Sequence, residues 1–256
     1  MVKISSIINI FSIFLKVFLG ILIFTAVFSL IYVNITVEPA EYGINEDFNI
    51  YVKGTIVVQN AGFYEFDDLN ITLTFQNQYE NETFAQVSQP LGKIPADPSP
   101  QYKSFDLQVP LSQLFSYKQL ILNDTLILMN LEIKGEYALG LIPFGITVKQ
   151  PIEWEAPLDQ LKVYLTVNDY NNSTHKSVII NYEFYSPAYY SYILNISYFY
   201  LQNSKETYVD TLSVSVPQDR HISDHTLPFV VPNGSTVKVV FLSELGFTYE
   251  VLLEVG

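Results

Sequence analysis

The chain has 256 residues, 13 of them Lys or Arg against 26 Asp or Glu, and a net charge of −13. An acidic balance of this size lacks the basic footprint that nucleic-acid binding requires, and it disfavours adhesion to anionic lipid headgroups. With no cysteine, thiolate metal sites, cysteine nucleophiles, redox motifs and disulfide frameworks are excluded.

The first element is an apolar run, residues 7–33 (IINIFSIFLKVFLGILIFTAVFSLIYV). About 20 apolar residues cross about 30 Å of hydrocarbon, so this run predicts a transmembrane helix preceded by a short N-terminal segment, 1–6. Its one charge is Lys16. A lysine at the bilayer centre costs about 2.5–3.5 kcal/mol on insertion scales. Residues 4–16 therefore read as an amphipathic lead-in that leaves Lys16 at the interface. Ser5, Asn9, Ser12, Lys16 and Gly20 form a polar or small stripe at helical spacing, suited to headgroups or to a helix–helix contact. The run exceeds the apolar core of a cleavable signal and ends in bulky residues, which predicts a retained anchor. Lys3 and Lys16 precede the first acid, Glu38, and none of the 26 acids lies within 1–33. The positive-inside rule thus predicts a cytoplasmic N-terminus and an exported remainder, whose net charge is −15.

In the whole chain, 19 Tyr and 18 Phe against one Trp favour half-buried pleated surfaces. Residues 34–48 read as a juxtamembrane connection. Ile50, Val52, Ile56 and Val58 then share one strand face, and Leu69, Ile71, Leu73 and Phe75 share another. A loop containing Pro90, Pro95, Pro98 and Pro100 precedes an inward set, Phe105, Leu107 and Val109. Residues 111–117 read as one helical turn and 120–133 as two strands split at Asn123-Asp124. Residues 135–148 read as a hairpin turning at Pro143 and Gly145. The segment PIEWEAPLDQ marks a boundary, and a second β set follows: 163–167, 178–185, 192–200, 212–216, a loop PQDRHISDH, and three closing strands. The frequency of short strands and turns predicts an all-β ectodomain of two tandem Ig-like β-sandwiches, 34–155 and 156–256, behind one N-terminal transmembrane helix.

Asn-x-Ser/Thr acceptors occur at Asn34, Asn70, Asn81, Asn123, Asn171, Asn172, Asn195 and Asn233, all beyond the apolar run. They predict a glycoprotein. Three constellations invite a chemical reading. Glu65, Asp67 and Asp68 cluster carboxylates that suit a hard cation, although a solvated turn before a strand is the plainer reading. His221 and His225, four apart beside Ser223 and Asp224, would share a helix face as metal ligands; as a loop they are solvated polar residues. Glu153 and Glu155 flank Trp154 in the manner of a glycosidase carboxylate pair, whereas packing between domains is the plainer role. No phosphate-binding glycine loop, GxSxG or HExxH is present. No cofactor or catalytic residue is expected.

The segments IVVQNAG, LNITLTF, VPLSQL and KGEYALGLIPFGITV, within residues 48–150, resemble the water-stress-hypersensitivity (WHy) family of late-embryogenesis-abundant proteins. That resemblance implies a WHy-like β-sandwich and a non-enzymatic role. The layout of apolar helix followed by a sequon-bearing β body resembles archaeal pilins and archaellum-associated envelope proteins. The expected function is a membrane-anchored surface protein with a structural, adhesive or partner-binding role in a cell or virus envelope. The alternatives are a subunit of a membrane machine or pilus-like filament, assembled through the helix, and, third, an extracytoplasmic hydrolase. The expected partners are the bilayer, through residues 7–33, and other envelope proteins.

Overall fold

A computed structural model of the chain describes residues 4–38, 40–78, 82–170, 172–187 and 189–255. Helix α1 (Ile4–Ser29) has 26 residues, about 39 Å of axial rise. It contains no proline and a single glycine, and in an apolar medium a helix satisfies its backbone polar groups within the segment itself. One 3-10 turn (Leu30–Tyr32) follows, and Val33 turns to an extended conformation (φ −99°, ψ 128°).

Among the described residues the rest is β-structure in four antiparallel four-stranded sheets. The strands are β1 (Val33–Val37), β2 (Glu41–Ile44), β3 (Asn49–Asn60), β4 (Phe66–Asn77), β5 (Thr83–Ile94), β6 (Asp97–Pro110), β7 (Thr125–Tyr137) and β8 (Ile142–Trp154). They continue with β9 (Asp159–Tyr170), β10 (Asn172–Tyr185), β11 (Tyr192–Gln202), β12 (Lys205–Val216), β13 (His221–His225), β14 (Phe229–Pro232), β15 (Thr236–Ser243) and β16 (Thr248–Glu254). Two helical turns, α2 (Leu111–Leu114) and α3 (Gln119–Leu122), precede β7.

The chain divides into two compact units. One comprises 1–75, 86–109 and 129–150; the other comprises 76–85, 110–128 and 151–256. In the first, β1 and β2 run in succession along one edge of β3, linked where the Glu38 amide donates to the Thr55 carbonyl (3.0 Å), and β6 pairs with the same strand. The second sheet has the order β5-β4-β7-β8. In the second unit β13 and β14 likewise follow each other along β10, linked where the Thr226 amide donates to the Ile180 carbonyl (3.0 Å), and β9 pairs with the same strand. Its partner sheet is β12-β11-β15-β16.

The connectivity is the same twice: edge, centre, across to the other sheet, its edge, back to the first sheet, then two strands closing the second. That is an immunoglobulin-like division into three and four strand positions, with one edge position broken into two short strands in each unit. The alternating residues anticipated from sequence fill the cores. Ile56, Val58, Leu69, Ile71, Leu73, Phe75, Phe105, Leu107 and Val109 are buried in the first unit. In the second, Tyr182 meets Phe241 edge-on (6.4 Å) and Tyr198 meets Phe229 (5.1 Å), each pair joining the two sheets.

Several local expectations are corrected. Residues 34–48 are not a free connection, since β1 starts at Val33 and is paired with β3 from its first residue. The proline-rich loop is strand: Pro90 lies in β5 and Pro98 and Pro100 in β6. Both are edge strands, where a missing N–H faces no ladder partner. Residues 120–122, expected to start a strand, belong to the helical turn α3, because a short apolar run reads alike as buried strand or buried helix. The hairpin after β7 turns at residues 138–141, with Ala138, Leu139 and Gly140 all at positive φ, whereas Pro143 and Gly145 lie within β8. The PQDRHISDH loop contains β13, and the segment around Trp154 ends a strand.

Candidate functional site

The polar groups most tightly organised around the apolar helix lie where α1 meets the first unit. Asn60, fully buried at the end of β3, holds the next turn with every side-chain polar group engaged. Its Nδ2 donates to the carbonyls of Tyr64 (2.8 Å) and Pro95 (3.1 Å), and its Oδ1 accepts from the Gly62 amide (3.2 Å). The turn thereby presents its backbone to the last turns of α1. The Phe63 amide donates to Ser29 Oγ (2.5 Å), which shares a second hydrogen bond with the Tyr137 hydroxyl (2.6 Å). One turn earlier, Thr25 Oγ1 bonds the Tyr64 hydroxyl (2.8 Å).

Ala26, Ser29 and Tyr137 are wholly buried, and Tyr137 packs on Phe66 (4.6 Å) and Tyr64 (6.0 Å). The Ala61 amide donates to the Tyr32 carbonyl (3.2 Å), and β1 continues the union as a sheet. Only glycine fits at residue 62: a Cβ would stand 2.5 Å from Ser29 Oγ and against the Tyr137 hydroxyl. Each of these buried bonds is worth about 0.5–1.5 kcal/mol net. Together they make the helix and the β unit one body.

Outside this joint most of the described side chains of α1 are exposed. Residues 15–20 are exposed, Lys16 and Gly20 among them, and Phe24 is 70% exposed. The segment Leu15–Tyr32 is long and apolar enough to cross a membrane. The side chains of Ser5, Asn9 and Ser12 lie outside the described residues.

The acceptor asparagines divide as follows. Asn34, Asn123 and Asn233 are exposed, on β1, after α3 and after β14 respectively. Asn70 and Asn195 are half-buried on the outward faces of β4 and β11. Asn81 and Asn171 lie outside the described residues, as does the side chain of Asn172.

The three chemical constellations resolve into structural contacts. The Lys93 ammonium stands between Asp67 (2.5 Å) and Glu65 (3.4 Å), so a lysine already supplies the cation there. Hydrogen bonding to Asp67, and then its charge, holds the Lys93 pKa above its ordinary value. Asp68 sits exposed at φ 50°. No group of three or more metal-capable His, Asp or Glu occurs among the described residues.

His221 and His225 lie on an extended strand, about 13 Å apart at 3.3 Å per residue, too far to share a metal. His221 packs on Tyr185 (4.8 Å) and lies 3.8 Å from Glu183. Trp154 is buried in the second unit, donates from Nε1 to the Leu120 carbonyl (2.7 Å) and meets Phe115 edge-on (5.7 Å).

A further polar node escaped the sequence reading. Asp124 accepts from the Ala156 amide (2.8 Å), while its own amide donates to Asp159 Oδ1 (3.2 Å). Burial raises the Asp124 pKa, the Ala156 amide opposes that, and the charges of Asp159 and Glu155 raise it further. The dipeptide Asn123-Asp124 gave the only signal, a break in an apolar stretch; its partners lie more than thirty residues on.

No family model matches this chain, and no curated protein does. Among solved structures it is similar to red sea bream transglutaminase, at 10% identity and a TM-score of 0.31. That match covers 88% of this chain and 31% of the transglutaminase chain, so this chain spans about a third of its length.

Proposed function

We propose that this is a single-pass, membrane-anchored surface protein whose β units serve a non-catalytic structural, adhesive or partner-binding role in an envelope. The observation that carries this reading is the joint at Ser29: an apolar helix, largely exposed over Leu15–Phe24, is locked, without a linker, to an immunoglobulin-like unit. A removable targeting segment has no use for such a joint, whereas an anchor that fixes a head at a membrane does.

The charge step at residue 33 orients the chain with residues 1–6 inside and the −15 body outside. Glycosylation at the exposed acceptors Asn34, Asn123 and Asn233 belongs to the same reading. Glu65 and Asp67 form ion pairs with Lys93, and His221 lies 3.8 Å from Glu183.

Fractionation of native membranes tests this proposal. The protein should remain in the pellet after alkaline carbonate extraction and should gain mobility after enzymatic or chemical deglycosylation. Release into the carbonate supernatant would refute the anchor; unchanged mobility would refute the glycoprotein assignment.

A further inference from the structure

The two turns that grip α1 carry large apolar side chains into the open. Phe63 is 64% exposed and Leu139 73%, and the two line one shallow cleft with Tyr64, Glu65 and Ala96. Ile31, at the helix exit, is 72% exposed.

Leu139 sits at φ 61° after Ala138 at φ 57°, two successive non-glycine residues in the left-handed region. That backbone is costly for a residue with a branched side chain, and it is spent on presenting a leucine outward. Of the carboxylates around the patch, Glu65 and Asp67 are paired with Lys93, and the exposed Glu136 lies beside Gly140 in the second turn.

The height of these turns along the helix identifies what covers them. Tyr64 reaches Thr25, and the Phe63 amide reaches Ser29. The turn therefore lies beside Thr25–Ser29, inside the apolar segment Leu15–Tyr32 and not beyond its end. With Leu15–Tyr32 in the bilayer, Lys16 falls at the inner interface, and the turns at 62–64 and 138–141 enter the outer one.

We propose that Phe63 and Leu139 form an apolar foot by which the first unit inserts into the outer interface of the same bilayer its helix crosses. The occupant is a lipid surface, and given the acidic body, a zwitterionic one. This inference rests on the anchor reading above and adds a second, helix-independent contact with lipid.

The cysteine-free chain permits a direct test with the full-length protein. Single variants Phe24→Cys, Phe63→Cys, Leu139→Cys and Lys205→Cys are labelled with a polarity-sensitive fluorophore and reconstituted in phosphatidylcholine vesicles containing spin-labelled lipid. The expected result is blue-shifted, lipid-quenched emission at position 24. Positions 63 and 139 should also be quenched, most strongly by the shallowest spin label, and position 205 should show water-like, unquenched emission. Quenching at 24 with water-like emission at both 63 and 139 would overturn the foot while sparing the anchor. Water-like emission at 24 would overturn the anchor and the foot with it.

Discussion

Gly62 is the residue on which the joint between helix and β unit turns. Gly62→Ala places a methyl group into the Ser29–Tyr137 hydrogen bond, and overpacking of this kind costs about 1–3 kcal/mol. Thermal unfolding of the full chain, followed by near-ultraviolet circular dichroism, should show the loss for Gly62→Ala. Gly145→Ala, whose new methyl meets only ordinary contacts at 3.9 Å, should unfold with the wild type.

Asp124 gives a pH-dependent counterpart. Its carboxyl is raised chiefly by burial, so the folded chain holds the proton more tightly than the unfolded chain does. The resulting stability is present below the ordinary carboxylate range, about pH 4, and is lost as pH rises through the elevated pKa. Asp124→Asn keeps an oxygen for the Ala156 amide and removes the charge. It should match the wild type in acid and melt at a higher temperature near neutrality. Coincident melting temperatures at both pH values would contradict the assigned cause of the shift. Neither residue announced itself in the sequence. Gly62 looked like a generic turn glycine and Asp124 like a strand break, because the groups that give them meaning lie 32 or more positions away: Ser29, Tyr137, Ala156 and Asp159.

Strands were legible wherever one face is buried and the other wet. Leu69, Ile71, Leu73 and Phe75 in β4, and Tyr192, Leu194, Ile196 and Tyr198 in β11, alternate as their burial does. Strands with little buried surface were not legible. β1, β2 and β13 are short edge segments with no buried residue, defined by pairing with β3 or β10 and not by a core-facing stripe.

The prolines of β5 and β6 misled for a physical reason: proline forbids a central strand but suits an edge, and a single sequence does not say which strands are edges. On β6, Pro98 and Pro100 are exposed and withhold two amide donors from solution, which guards an open edge against pairing with other chains. Replacing both with threonine should leave the fold intact and promote self-association. Sedimentation velocity would detect it as species heavier than the wild type; identical sedimentation would show that the edge is protected by other means.

At the scale of the molecule, composition carried the broadest conclusions. The aromatic and β-branched content implied an all-β body, and the structure is one. A helix with the length and apolarity for a membrane stands at the start of the chain. Residues 76–85, 110–128 and 151–256 group as one unit. Such membership depends on long-range pairing that local patterns do not encode.

The central claim is the topology: a helix that crosses the membrane once and holds an acidic β body outside. Cysteine accessibility in intact cells tests it most directly, again because the native chain has none. Lys205→Cys, exposed at the start of β12, should react with a membrane-impermeant maleimide in intact cells. Lys3→Cys should react only after permeabilisation. Labelling of position 3 from outside, or of position 205 only after permeabilisation, would contradict the claim.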